Sequence, residues 1–155
     1  DPKRVCIVGG SYGGYAALMG LARGGMACAV AAFAPTDLTK LTSRHWSDVS
    51  VEAISFSIPR HVGDAQADAA MLNANSPIHL VDKLQGPLLL AYGERDERVL
   101  LAHGQELRDA LTAAGRPPEW VSYPGEGHGL YKWEHRQDYW RRVEAFLATH
   151  LAPKN

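Results

Sequence analysis

Arg4-Val5-Cys6-Ile7-Val8-Gly9-Gly10-Ser11-Tyr12-Gly13-Gly14-Tyr15 is a short apolar run rich in β-branched residues. It breaks on paired glycines, presents one serine and meets two more glycines before a helical pattern begins. The run reads as a buried strand, so the serine falls in the turn between that strand and a helix. The spacing Gly9-x-Ser11-x-Gly13 has a steric reason. A serine on a strained strand-to-helix turn needs neighbours without bulky side chains where the two elements meet. In that turn the Ser11 hydroxyl would stand above the sheet edge, and the backbone N–H of Tyr12 would face an oxyanion. On the motif alone, a glycine-rich turn with an idle serine, or one that binds phosphate, competes with this nucleophile elbow.

The 155 residues are expected to form one domain, 1–155, able to bury roughly 70% of the surface an unfolded chain exposes. With 16 basic and 17 acidic residues there is no electrostatic footprint for nucleic acid or for an anionic membrane surface, and neither partner is expected. The apolar runs are too short to span a bilayer and the start lacks a signal-peptide layout, so a soluble, cytoplasmic protein is expected. Cys6 and Cys28 fall in two expected central strands and read as small buried hydrophobes rather than a disulfide or metal pair.

From Gly14 to Arg23, residues Ala16, Ala17, Leu18, Met19 and Leu21 predict a compact helix stopped by Gly24-Gly25. Met26 to Phe33 is a continuous apolar run, which predicts a strand covered on both faces. Residues 36–76 lack a strand period and read as a helical excursion over the functional end of the sheet, with short helical stretches such as Asp64 to Leu72. Leu88 to Tyr92 and Trp120 to Tyr123 predict two further strands, each bounded by glycine or proline. Between them Leu100, Leu101, Leu107, Ala110, Leu111 and Ala114 predict one helix face. After them Tyr139, Trp140, Val143, Phe146, Leu147 and Leu151 predict another, on a helix over Gln137 to Leu151. Strand and helix alternate, so the fold class is α/β, with about four parallel strands flanked by helices.

Functional groups in such sheets gather at the carboxyl ends of the strands. Three of these ends carry Ser11, then Asp96 in Gly93-Glu94-Arg95-Asp96-Glu97-Arg98-Val99, then His128 in Pro124-Gly125-Glu126-Gly127-His128-Gly129. The order Ser, Asp, His is that of α/β-hydrolases. A serine hydroxyl is a weak nucleophile until a histidine takes its proton, and the histidine needs an acid to hold its tautomer. Glu94 and Glu97 compete with Asp96 for that role. Of the other histidines, His103, His135 and His150 lie on expected helices and read as surface residues, while His45 and His61 lie in the excursion and His79 in the connector after it. No cofactor or metal site is expected.

The segments GGSYGGY, GxxDxRV and YPGEGHG resemble the catalytic domain of the prolyl oligopeptidase family of serine peptidases, especially its acylaminoacyl-peptidase and dipeptidyl-peptidase-like branches. The similarity runs over nearly the whole chain. It implies the C-terminal half of an α/β-hydrolase fold, with Ser11 as nucleophile, Asp96 orienting His128, and His128 as general base and then acid. It implies a peptide substrate, with Arg98, Val99 and Thr36 as substrate-binding candidates. Arg98 could hold a substrate carbonyl or carboxylate, or pair with Glu94 or Glu97. Thr36, Thr39, Leu41 and Trp46 would line a pocket unlike the tyrosine-walled proline pocket of some relatives. In the family several elements precede the elbow strand and supply a second oxyanion donor and a gating propeller. Here Asp1-Pro2-Lys3 leads straight into that strand, so a fragment is expected, pairing along Arg4 to Val8 with itself or with an upstream segment. A carboxylesterase with the same triad, and a non-catalytic half-domain serving in assembly, are the competing readings.

Overall fold

The computed structural model describes residues 1, 3–42 and 52–152. Within them the elements follow as β1 (Cys6–Gly10), α1 (Tyr12–Ala22), β2 (Cys28–Ala32), α2 (Leu38–Thr42), α3 (Ile58–His61), α4 (Ala69–Ala74), β3 (Leu88–Gly93), α5 (Leu101–Ala113), β4 (Glu119–Tyr123) and α6 (Trp133–Leu151). The strands form one four-stranded sheet in the order β1-β2-β3-β4, every neighbouring pair parallel. A helix of each crossover returns the chain to the same end of the sheet, which brings the carboxyl ends of all strands together.

The side-chain period of two sorts each strand between two cores. Ala29 and Ala31 of β2, with Leu88, Leu90 and Tyr92 of β3, pack against Leu18 and Leu21 of α1 and Leu107 and Leu111 of α5. Their alternates, Cys28, Val30, Ala32, Leu89 and Ala91, pack against Tyr139, Val143 and Phe146 of α6. Burial on both faces is why β2 and β3 are unbroken apolar runs. Each fully enclosed leucine, such as Leu18, Leu90 or Leu107, contributes roughly 1.5–3 kcal/mol.

Several expectations are corrected. Cys6 and Cys28 are not separate thiols but a disulfide, with Cα atoms 4.6 Å apart. They are direct partners in the β1–β2 register and lie on the same face of the sheet, an adjacency that a sequence separation of 22 hides from a linear reading. Trp140 lies on the outer side of α6 and is 59% exposed, because Tyr139, Val143 and Phe146, spaced by four and three, form the stripe that meets the sheet. Leu100 precedes α5 and is exposed, as is Ala114 beyond its end. The last helix begins at Trp133, about one turn before Gln137.

His103 is buried, not a surface residue. Its Nδ1 accepts from the backbone N–H groups of Thr36 (3.2 Å) and Asp37 (3.3 Å), so α5 anchors the start of the excursion. The excursion's far end is tied back by Ser76, whose Oγ accepts from the Leu38 N–H and donates to the Leu72 carbonyl, both at 2.8 Å. Burial pushes the Asp37 carboxyl up, but hydrogen bonds from Thr39 and Lys40 outweigh it and hold it below the usual carboxylate range. Within the excursion the described residues form short helical turns; His45 and Trp46 lie outside them.

Candidate active site

Ser11 is the residue between β1 and α1, with φ 56° and ψ −123°, a backbone conformation that side chains other than glycine rarely adopt. The turn is made possible at Gly9, where a Cβ would sit 2.1 Å from the carbonyl oxygen of Gly13. The Ser11 N–H donates to the Ala32 carbonyl (2.8 Å), fastening the turn to the end of β2. Tyr12 opens α1, and the first N–H groups of a helix have no partner within it. They point where an anion would sit.

Asp96 follows β3 and His128 follows β4. These loops are sewn to each other: the Glu94 N–H donates to the Tyr123 carbonyl (3.1 Å) and the Arg95 N–H to the Glu126 carbonyl (2.8 Å). Gly93 permits the contact, since a Cβ there would lie 2.2 Å from the Gly127 carbonyl oxygen. Asp96 is buried. Its Oδ1 accepts from the N–H groups of Arg98 and Val99, both at 2.9 Å, and its Oδ2 lies 2.8 Å from His128 Nδ1. His128 Nε2 lies 2.7 Å from Ser11 Oγ. An ionised carboxylate only accepts, so Nδ1 carries the proton and Nε2 is left to accept from the serine hydroxyl. That arrangement can take a proton from Ser11 as its oxygen attacks and return it to a leaving group.

Glu94 is elsewhere, its carboxylate accepting from the Ser122 hydroxyl at 2.8 Å. Arg98 and Glu97 border a cavity of about 270 Å³ that reaches His128, with Arg95 and Tyr131 on its wall. Val99 belongs to the core and turns only its N–H to Asp96. Thr36 is fully buried and its hydroxyl donates to the His103 carbonyl at 2.8 Å, so it does not reach a substrate surface. Of the pocket residues expected in the excursion, Leu41 alone among the described ones lines the second cavity, about 330 Å³, which Tyr12, Tyr15, Leu38, His61 and Met71 also border. The Tyr15 hydroxyl donates to the Asn75 carbonyl (2.9 Å) and holds this wall to α1; burial pushes its phenol up.

Sequence reasoning missed two residues here. Phe33 directly follows β2 at φ 52°, and its ring meets the His128 imidazole edge-on with centroids 6.0 Å apart. In the sequence it is only the last apolar residue of a strand. Glu126 is 1% exposed, with Oε2 accepting from the Tyr131 N–H and Oε1 from the Lys132 N–H, both at 2.9 Å, and Oε1 lying 2.8 Å from His135 Nδ1. Burial pushes its carboxyl up, but these donors prevail and hold it below the usual range.

Among known proteins, the model of the prolyl oligopeptidase family matches residues 1–154. Dipeptidyl aminopeptidase BIII of Pseudoxanthomonas mexicana is 34% identical over 155 residues, 96% of this chain and 22% of that enzyme. The acylamino-acid-releasing enzyme of Sus scrofa is 31% identical over 155 residues, 97% of this chain and 21% of that enzyme. A puromycin hydrolase crystal structure shares the fold, with a TM-score of 0.88 at 21% identity over 99% of this chain and 23% of its own. The chain spans less than a quarter of the length of these relatives.

Proposed function

Because the chain belongs to the prolyl oligopeptidase family, we propose that it carries the acyl-transfer centre of a serine peptidase acting on short peptides. Ser11 Oγ attacks the scissile carbonyl while His128 Nε2 takes the hydroxyl proton, and the Tyr12 N–H receives the oxyanion. Collapse of the tetrahedral intermediate breaks the C–N bond, and the amine leaves with the proton from His128. Water then cleaves the ester by the same path and restores Ser11. Asp96, held by two backbone N–H groups, keeps the imidazole in the tautomer that can accept. The observation that carries this reading is the Ser11–His128–Asp96 relay, 2.7 and 2.8 Å, set on a serine of positive φ.

The cavity between Tyr12, Tyr15, Leu38, Leu41 and Met71 is predominantly apolar and favours an apolar side chain next to the scissile bond. Across His128, Arg98 is placed to hold a substrate carbonyl or carboxylate. The test is a fluorophosphonate probe followed by peptide mapping: the adduct is expected on Ser11 and absent from Ser11→Ala, and an adduct on another serine overturns the assignment. Aminoacyl p-nitroanilides compared with p-nitrophenyl esters then separate a peptidase from a carboxylesterase.

Among the described residues the strand β1 pairs on one side only, with β2. We infer that its free edge is completed by another strand, from a second copy or from a longer chain.

A further inference from the structure

The chain after β4 leaves Tyr123, carries His128 across the mouth of the site and enters α6 at Trp133. A loop with Gly125 at φ 76° and Gly129 at φ 148° on either side of a histidine has no intrinsic reason to hold that histidine still. Glu126 provides one. Its buried carboxylate accepts from Tyr131 and Lys132, the two residues just ahead of α6, and from His135 in the first turn of the helix. The loop from Glu126 to Lys132 is thereby closed on a single side chain, with His128 inside it. The negative charge lies against the amino end of α6, where the helix dipole favours it. Tyr123 packs its ring 5.2 Å from that of His135, so the pair is walled by the end of β4. The backbone carbonyl of Glu126 accepts from Arg95, the neighbour of Asp96. One residue thus ties the loop of the acid, the loop of the base and the helix that follows.

We propose that Glu126 and His135 are positioning residues for the catalytic relay: the buried carboxylate–imidazole pair fixes the 126–132 loop so that His128 stays within hydrogen-bond reach of both Ser11 and Asp96. The proposal rests on the serine peptidase reading of that relay. It gives a buried carboxylate two residues from the active histidine a purpose beyond capping a helix. All the groups facing Glu126 are donors, so an amide in its place cannot satisfy them, because its NH2 would oppose one of them.

The test uses the full chain and variants Glu126→Gln, His135→Phe and His135→Asn, with Val143→Ala in the α6 core as a control that loosens the same helix without touching the loop. Two quantities are read well below each melting temperature: the second-order rate of fluorophosphonate labelling of Ser11, and the far-downfield proton resonance of the His128–Asp96 hydrogen bond. Glu126→Gln and His135→Phe are expected to slow labelling about ten- to a hundredfold, the scale of misplacing a catalytic group by an ångström. They should also broaden or abolish the resonance. Val143→Ala should keep both, and His135→Asn, whose amide can still donate to Glu126, should recover most of the rate. Wild-type labelling rates and an intact resonance in Glu126→Gln and His135→Phe overturn the proposal and leave the pair as a helix brace. Should Glu126→Gln fail to fold, His135→Phe decides alone. Failure of the wild-type chain to label at all counts against the peptidase reading instead, and the resonance, which needs no turnover, still decides the positioning.

Discussion

At Gly9 the space is decided by backbone, not by side chains that could move: an added Cβ would meet the Gly13 carbonyl oxygen and carbon at 2.1 and 2.3 Å. At Gly13 itself a Cβ would meet nothing within 4 Å, although the two glycines hold equal rank in the motif. Gly9→Ala is therefore expected to lower stability by about 1–3 kcal/mol through overpacking and to silence Ser11. Gly13→Ala, within α1, should raise stability by about 0.5–1 kcal/mol and leave the fold intact. Urea unfolding of the two variants checks this, and equal losses at both positions would refute it. The convergence of Ser11, Asp96 and His128 is legible in the sequence because each follows a strand at its carboxyl end, Ser11 and His128 between glycines and Asp96 with Glu94 and Glu97 as its competitors. Glu126 and His103 are not. Their burial depends on partners that no sequence period marks: for Glu126, Tyr131, Lys132 and His135 five to nine residues on, and for His103, Thr36 and Asp37 from a distant segment. Phe33 is illegible for another reason: a positive φ in an L-residue is imposed by the turn it occupies, not announced by the residue.

Between elements, β1 and β2 are joined twice, by the parallel ladder and by the Cys6–Cys28 disulfide. The crosslink closes a loop with a sequence separation of 22 that contains the Ser11 turn and all of α1. Restricting the unfolded chain over such a loop is worth about 3 kcal/mol in the chain-entropy account. Reduction is expected to lower the unfolding free energy by that order. A Cys6→Ala, Cys28→Ala double variant should match the reduced protein and no longer respond to reductant. Thermal unfolding with and without dithiothreitol measures both, and an unchanged melting temperature on reduction would show that the crosslink adds nothing to the ladder. The strands themselves are legible because burial on both faces leaves unbroken apolar runs in β2 and β3. The pairing of the cysteines is not, since it depends on register, and a shift of one residue would turn one thiol to the opposite face. The start of α6 was hidden similarly: its first turn, Trp133 to Arg136, has little apolar periodicity and is secured by Glu126 from outside the helix.

Across the whole molecule the two sides of the sheet are finished differently. The face bearing α1 and α5 covers β1 as well, with Ile7 packed into that core beneath Gly20. On the other face α6 reaches β2, β3 and β4, and only Cys6 of β1 joins its core, so Val8 stays 41% exposed and Val5, just before the strand, 45%. Among the described residues β1 has one flank bare and no strand along one edge, and such a parallel strand is a template for another. Covering a valine contributes roughly 1.5–3 kcal/mol when complete, and the ladder adds to that. A net charge of −1 offers little repulsion against association. The isolated chain is therefore expected to self-associate with rising concentration, unless residues from a longer chain pair with β1 first. Val8→Lys should suppress the association and leave the fold intact, because Val8 faces the uncovered flank. Ile7→Lys would not serve, because Ile7 is packed and its loss would damage the core. Sedimentation velocity over a concentration series reads the outcome. A wild-type chain that stays monomeric throughout, with β1 amides exchanging as exposed groups, would show that this edge is stable uncovered.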